Sequence, residues 1–360
     1  MTTAPGLFAE AVARGLVSAR EVLSGRVSVT DQSRSNVVHR VDVDDRPVAY
    51  VKVAGPAAAL DGDDPVAAER RVLAALTGCP VVPRLIPEPT VPARHPGAPD
   101  GDALWTRAVD GIPLYAAHGT PARLAEVARA WGAAVASLHR TGCPTSYATQ
   151  GIPVLPAPWV VTPDRLPPSM GEPADGSPLA DLRAEARSDR MRWICAELTA
   201  HWSPDVLLHG DLGAANVLVH ERAGTPVVRL IDLEGAGLGP AAWDLAGALD
   251  TLGELVRQWG CPEVVPAFVA GYRAAGGPGS VQPGHLAVRA LVSGWQATVG
   301  STVRGDWMGA AAEARVHLER ARHWAAVWER HGSRGEAGSG GPTSPRSRGQ
   351  VLPAAVRGAA

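Results

Sequence analysis

"LLHGDLGAANVLV", residues 207–219, sets two short apolar runs on either side of a polar loop. Apolar runs of this length, bounded by Gly and Asp, read as strands. The loop holds His209, Asp211 and Asn216, and the second strand begins where Asn216 sits. One loop can therefore aim Asp211 and Asn216, five residues apart, at one point. Further along, in "RLIDLEGAG" (229–237), Asp232 closes another apolar strand and Glu234 follows two residues later. An acid, an amide and a second acid at the mouths of adjacent strands form a hard-oxygen site. Magnesium suits such a site, because it takes one or two protein oxygens and completes its shell with phosphates and water. A lone Asp-x-x-x-x-Asn is more often a turn feature. Here it stands in register with His209, Gly210, Asp232 and Asp244, which favours the metal reading.

"HGDLGAAN", then "IDLEGA", then "AWDLA" resembles the aminoglycoside phosphotransferase and choline kinase group of kinase-like enzymes. Their signature is H-G-D-x-x-x-x-N, a downstream I-D-[WFL]-E and a D-[LF]-A; all three pieces occur in order. The resemblance runs from about residue 26 to 331. It implies an α+β, bilobal protein-kinase-like fold, with a small antiparallel β lobe carrying one helix and a larger, mainly helical lobe. Carried over residue by residue, Asp211 matches the catalytic base, and Asn216 and Asp232 match the two magnesium ligands. Asp244 matches a residue that braces the catalytic loop from beneath, and His209 organises that loop. The implied cofactors are ATP, with GTP as an alternative, and Mg2+. Such a site suits phosphoryl transfer, where the protein mostly positions groups and neutralises charge.

The first 110 residues fit the small lobe. "RVSVT", "NVVHRVDVDD" and "PVAYVKVAG" are valine-rich alternating runs with turn signals between them, which predicts three antiparallel strands. "DPVAAERRVLAALTG" predicts a helix with Asp64 or Asp63 as N-cap, Pro65 at its first position and Gly78 after its end. "PVVPRLIPEP" and "DALWTRAVDG" add two strand candidates. Lys52 is the only lysine in the chain and lies mid-strand. In the resembling family that place belongs to a lysine on the α- and β-phosphates, with Glu69 suited as its ion-pair partner. The phosphate-covering loop is then "TDQSRSN", which contains no glycine; Ser33, Ser35 and Asn36 are its candidate phosphate contacts. "LWTRAVDGIPL" resembles the hinge, with the backbone of Thr106 to Ala108 as the candidate adenine edge.

The expected organisation is a helical extension over 1–25, a small lobe over 26–107, a hinge over 108–114, a large lobe over 115–331 and a disordered tail over 332–360. Within the large lobe, residues 121–142 predict one long helix. Residues 143–179 read as an unusually long Pro-rich loop, and such loops are often functional. His139 reads as a helix C-terminal residue favoured by the dipole. Trp131, Trp193 and Trp243 fit helical core spacing, while Trp159 in the long loop is the likeliest substrate-stacking ring.

Composition removes other classes. The formal net charge is −2, with arginines scattered, so no basic stripe marks a nucleic-acid face. Cys79, Cys143, Cys195 and Cys261 are too widely spaced for a metal knuckle or a disulfide framework. No secretory signal or membrane span is evident, so the chain reads as cytoplasmic.

The acceptor is less determined. From 242 to 331 eight acids face eight arginines, which argues against a strongly polycationic acceptor. The leading reading is a phosphotransferase acting on a hydroxyl of a natural-product-type small molecule, in secondary metabolism. A second is a kinase for Ser/Thr of a ribosomal precursor peptide, with a partner lyase that later eliminates phosphate. A third is a pseudokinase, a binding or scaffold module, supported only by the absent glycines.

Overall fold

Valine alternation builds the first sheet. In the computed structural model, which describes residues 4–33, 36–54, 64–88, 103–142, 144–157 and 173–332, strands β1 (Val27–Asp31), β2 (Val37–Val43), β3 (Arg46–Val53) and β4 (Leu104–Arg107) pair antiparallel in the order β1-β2-β3-β4. The β2–β3 hairpin turns through Asp44 and Asp45, both at positive φ (49° and 60°). Aspartate tolerates that region better than most residues, and primed turns require it at both central positions. Register places Lys52 opposite Val38 on one side and Leu104 on the other, so its strand is interior to the sheet.

Helices α1 (Ala4–Ala13) and α2 (Ala19–Leu23) precede the sheet. Leu7, Ala11 and Val17 share an apolar cluster with Val41, Ala49, Val51 and Trp105. Burying a leucine such as Leu7 contributes about 2 kcal/mol, so the N-terminal helix helps to hold the sheet. Helix α3 (Pro65–Ala75) starts at Asp64, whose Oδ1 accepts from the amides of Val66 and Ala67, both at 3.0 Å. That cap satisfies two of the first-turn donors and sets Glu69, one turn in, facing the sheet.

Residues 80–88 of the segment "PVVPRLIPEP" do not form the expected strand. They make one isolated bridge, Leu85 to Thr106, with two flanking backbone bonds. Prolines 80, 83 and 87 remove amides that a continuous ladder needs.

The larger part holds a three-stranded sheet, β5 (Ile112–Pro113), β7 (Val217–Arg222) and β8 (Thr225–Leu230), and the pair β6 (Val206–Leu208) with β9 (Gly237–Gly239). Around them lie α4 (Pro121–Arg140), α5 (Pro144–Thr149), α6 (Pro178–Ala186), α7 (Asp189–Ala200), α8 (Ala241–Trp259), α9 (Val264–Ala274), α10 (Pro283–Val303) and α11 (Trp307–Gly332). Helices α4 and α9 cross with backbones in contact. A Cβ on Gly132 would stand 2.1 Å from Phe268 O, and one on Gly271 2.0 Å from Arg129 O. Trp131 and Phe268 meet edge to face beside this crossing.

The expected loop over 143–179 is shorter than its span suggests: it contains α5 and a bridge from Val154 to Leu238. Residues 158–172, Trp159 among them, and 333–360, nearly all of the expected tail, lie outside the described residues. Cys79, Cys195 and Cys261 are buried, and among the described residues they form no disulfide. Among the described residues no helix is long and apolar enough to cross a membrane. The architecture is the bilobal α+β arrangement that the motifs led us to expect.

Candidate active site

A cleft of about 380 Å³ opens between the two sheets. Val38, Leu104, Leu218 and Ile231 form its apolar walls, and Lys52, Glu69, Asn216 and Asp232 its polar end. Thr106 lines this cleft, whereas Ala108 does not, and its amide is donated to Val48 O (3.1 Å). Val109 lines the wall beyond it.

Lys52, on β3, is 12% exposed and is surrounded by carboxylates. Its Nζ donates to Glu69 Oε2 (2.9 Å), Glu234 Oε2 (2.6 Å) and Asp232. Burial opposes the ammonium charge, but Glu69 and Asp232 outweigh it and push the lysine pKa up. Burial pushes Glu69 up as well, more than Lys52 and the Leu233 amide pull it down. Glu69, Asp232 and Glu234 offer oxygens within 4.8 Å of one another. Three carboxylates around one ammonium leave a surplus of negative charge, and hard oxygens with surplus charge fit a divalent cation.

Asp232 holds φ 66° and ψ 65° at the start of a single 3-10 turn, Leu233–Gly235. A non-glycine residue there costs about 1–2 kcal/mol. The turn is secured by Glu69 Oε1, which accepts the Leu233 amide at 3.0 Å. The helix of the small sheet thus fixes the backbone that aims Asp232.

The phosphate-loop candidates are largely engaged. Ser33 donates its amide to Asp31 Oδ1 (2.8 Å), and its hydroxyl accepts from the Val38 amide (3.0 Å). Ser35 lies outside the described residues. Asn36 is buried and donates to Glu234 Oε2 (2.5 Å) across the cleft.

On the far side, Asp211 is 56% exposed and accepts from Asn216 Nδ2 at 3.0 Å; the same amide reaches Asp211 O at 3.1 Å. Asn216 O accepts the Ile231 amide (2.9 Å), which ties the loop's second end to the residue before Asp232. His209 is fully buried, donates Nε2–H to Ile231 O (3.0 Å) and accepts the Asp211 amide at Nδ1 (3.3 Å). Both ring nitrogens are spent on backbone, which fits a loop organiser. Gly210 has φ 83°, and a Cβ there would lie 2.0 Å from Gly235 O, so only glycine lets the two loops touch.

Asp244, near the start of α8, accepts the amides of His209 (2.7 Å) and Gly210 (2.9 Å) and a bond from His139 Nε2 (3.1 Å). Burial alone would raise its pKa; the His139 hydrogen bond and charge, with the His209 amide, overcome burial and hold it below the ordinary value. A group depressed in this way contributes stability above its unfolded pKa, near 3.9, and loses it as pH falls through the folded value. Asp244→Asn keeps one acceptor and sets an NH2 against an amide donor. We expect it to lower stability at pH 7 by about 2 kcal/mol, with the difference from wild type narrowing below about pH 4. Thermal melts at pH 7 and pH 3.5 check this, and an equal loss at both would refute the charged role.

Three groups escaped the sequence reading. His139 lies in the last turn of α4 as expected, but its fully buried ring also bridges Tyr272 Oη (2.9 Å) to Asp244, which the sequence did not show. Glu234 was visible beside Asp232 but had no role. Arg289, from α10, approaches Asp211 Oδ1 at 4.0 Å. No local pattern marks it.

Comparison with known proteins gives a consistent frame. The sequence model of the phosphotransferase enzyme family matches residues 28–291. No curated protein matches the chain. Among solved structures, the Plasmodium vivax ethanolamine kinase is similar over 86% of this chain and 84% of its own, at 12% identity and TM-score 0.56. A choline kinase from Cryptosporidium parvum is similar over 91% and 97%, at 13% identity and TM-score 0.54. The GDP and kanamycin complex of APH(2")-IIia is similar over 82% and 93%, at 16% identity and TM-score 0.51. At these identities the likeness is one of fold.

Proposed function

The chain belongs to the phosphotransferase enzyme family, and on that premise we propose that it transfers the γ-phosphate of MgATP to a hydroxyl of a small molecule. The observation that carries this is the meeting of Lys52, Asn216 and Asp232 at one end of a single cleft, with Asp211 hydrogen-bonded to Asn216. Residues 26–107 act as the nucleotide-binding lobe and 115–331 as the catalytic and acceptor lobe, joined through 108–114.

In this reading the adenine lies between Val38 and Leu218, with its edge toward the backbone at Thr106 and Val109. Lys52, held by Glu69, neutralises phosphate charge. Asn216 and Asp232 would hold Mg2+, which would supply positive charge to screen the phosphates. Asp211 takes the proton of the acceptor O–H as that oxygen bonds to the γ-phosphorus. The bond from the γ-phosphorus to the β–γ bridging oxygen breaks, and ADP leaves with the electron pair. His209 and Asp244 keep Asp211 in place and take no proton.

The test is calorimetry of MgATP binding together with transfer of labelled phosphate to a panel of hydroxyl compounds, with and without EDTA. Saturable MgATP binding and metal-dependent phosphorylation are expected. Binding without turnover on any hydroxyl compound or Ser/Thr peptide would favour the scaffold alternative, and transfer to peptides alone would favour the precursor-peptide kinase.

A further inference from the structure

Arg289 is one of eight arginines between 242 and 331, yet its surroundings differ from those of an ordinary ion pair. Its side chain is 8% exposed. The guanidinium lies over the Trp243 ring, 5.4 Å from the centroid, and against Gly247, where a Cβ would stand 3.5 Å from it. These two residues of α8 form a flat bed that orients the planar group. The terminal nitrogen points to the exposed carboxylate of Asp211, at 4.0 Å, too long for a hydrogen bond. Among the described residues Arg289 makes no hydrogen bond, and its Nε is sealed from solvent with no acceptor.

Neighbouring charges do not explain it. Asp250, the other buried acid of α8, is committed to Arg320. Burial pushes the pKa of His317, which also senses the Arg289 charge, down to about 4, so it supplies no counter-charge. A largely buried cation whose Nε has no acceptor is costly, and an apolar side chain would fill the space more cheaply. A guanidinium fork held flat and unsatisfied is complementary to a planar or tetrahedral oxyanion, which it grips through paired hydrogen bonds.

We propose that Arg289 is the recognition site for an anionic group of the acceptor, a carboxylate or phosphate carried next to the hydroxyl presented to Asp211. This rests on the phosphotransfer reading and names the acceptor class within it: a hydroxy acid or a phosphorylated alcohol, in place of a polycation. The 4.0 Å gap leaves the Asp211 carboxylate free to take a proton while Arg289 offsets the repulsion between two anions.

The test uses compounds that share hydroxyls and differ in charge. Transfer from labelled MgATP is measured with glucuronate, glucose 6-phosphate, glucose and glucosamine. Separately, tryptophan fluorescence of the nucleotide-free full-length protein, with Trp243 under the guanidinium, is titrated with acetate and with inorganic phosphate. The expected kcat/KM favours an anionic sugar over glucose by roughly 10–100-fold, and the glucuronate and glucose 6-phosphate arms separate carboxylate from phosphate. Arg289→Met collapses that ratio to about one and removes the fluorescence response; Arg289→Lys, which keeps the charge without the fork, retains part of both. Preference for glucosamine overturns the proposal. So does an equal loss across all four sugars in the Met variant, which would make Arg289 a positioning residue for Asp211. Should no sugar be phosphorylated, an anion response lost in the Met variant supports the proposal and no response overturns it. Failure to bind MgATP would count against the phosphotransfer reading alone, since the fluorescence arm needs no nucleotide.

Discussion

Asp211→Ala is expected to lower kcat by about 10²–10⁴-fold, the range for loss of a general base, while MgATP affinity stays within about threefold of wild type. The hydrogen-bond pattern supports this separation. Asn216 keeps the Asp211 backbone carbonyl at 3.1 Å when the carboxylate is removed, so the loop retains one of its two ties to that amide. His209 still receives the residue 211 amide, and Asp244 still receives those of residues 209 and 210. The Lys52 side of the cleft is untouched. Single-turnover transfer with saturating MgATP, beside calorimetry of nucleotide binding, measures both halves. Full turnover in the variant would remove Asp211 from the role of base.

Lys52→Arg is expected to reduce kcat/KM for MgATP by at least about 100-fold, comparable to losing one preorganised transition-state donor. The substitution keeps a positive charge among Glu69, Asp232 and Glu234, so the fold should survive with a melting temperature near wild type. What changes is shape. The ammonium is a compact charge that three carboxylate oxygens approach from different sides, and a planar fork is broader and takes two of them in its own plane. Lys52→Met is the sharper structural probe: it strands three carboxylates and should cost about 3–5 kcal/mol of stability, visible as an early melt. An arginine variant with wild-type kinetics would mean that the nucleotide lies elsewhere.

Much of the candidate site is legible in the sequence. Asp211 and Asn216 are five residues apart in one loop, and Asp232 ends the next strand, so chain connectivity alone brings them near each other. Lys52 and Glu69 were legible because a lone lysine on a strand and an acid on the following helix form a recognisable order. The segment from 80 to 88 misled, because hydrophobicity suggested a strand while its prolines denied it a ladder. Ala108 stood among the candidates for the adenine edge, and only the fold shows that its amide is spent on Val48. The helix-end position of His139 was legible but its partner was not, because a histidine near a helix end looks alike whether it faces water or a buried aspartate 105 residues away.

The sequence by itself determined the chemistry: the order and spacing of His209, Asp211, Asn216, Asp232 and Asp244, and the alternation that makes a small antiparallel sheet, are local properties of the chain. Tertiary structure alone decided which charges share a space. Lys52 meets Glu234 across 182 residues, and Asn36 meets it across 198. Arg289 was one of eight arginines opposed by eight acids, indistinguishable by count. Its burial against Trp243 and its 4.0 Å approach to Asp211 set it apart. Electrostatic energy depends on distance and on exclusion of water, and neither is written in sequence separation.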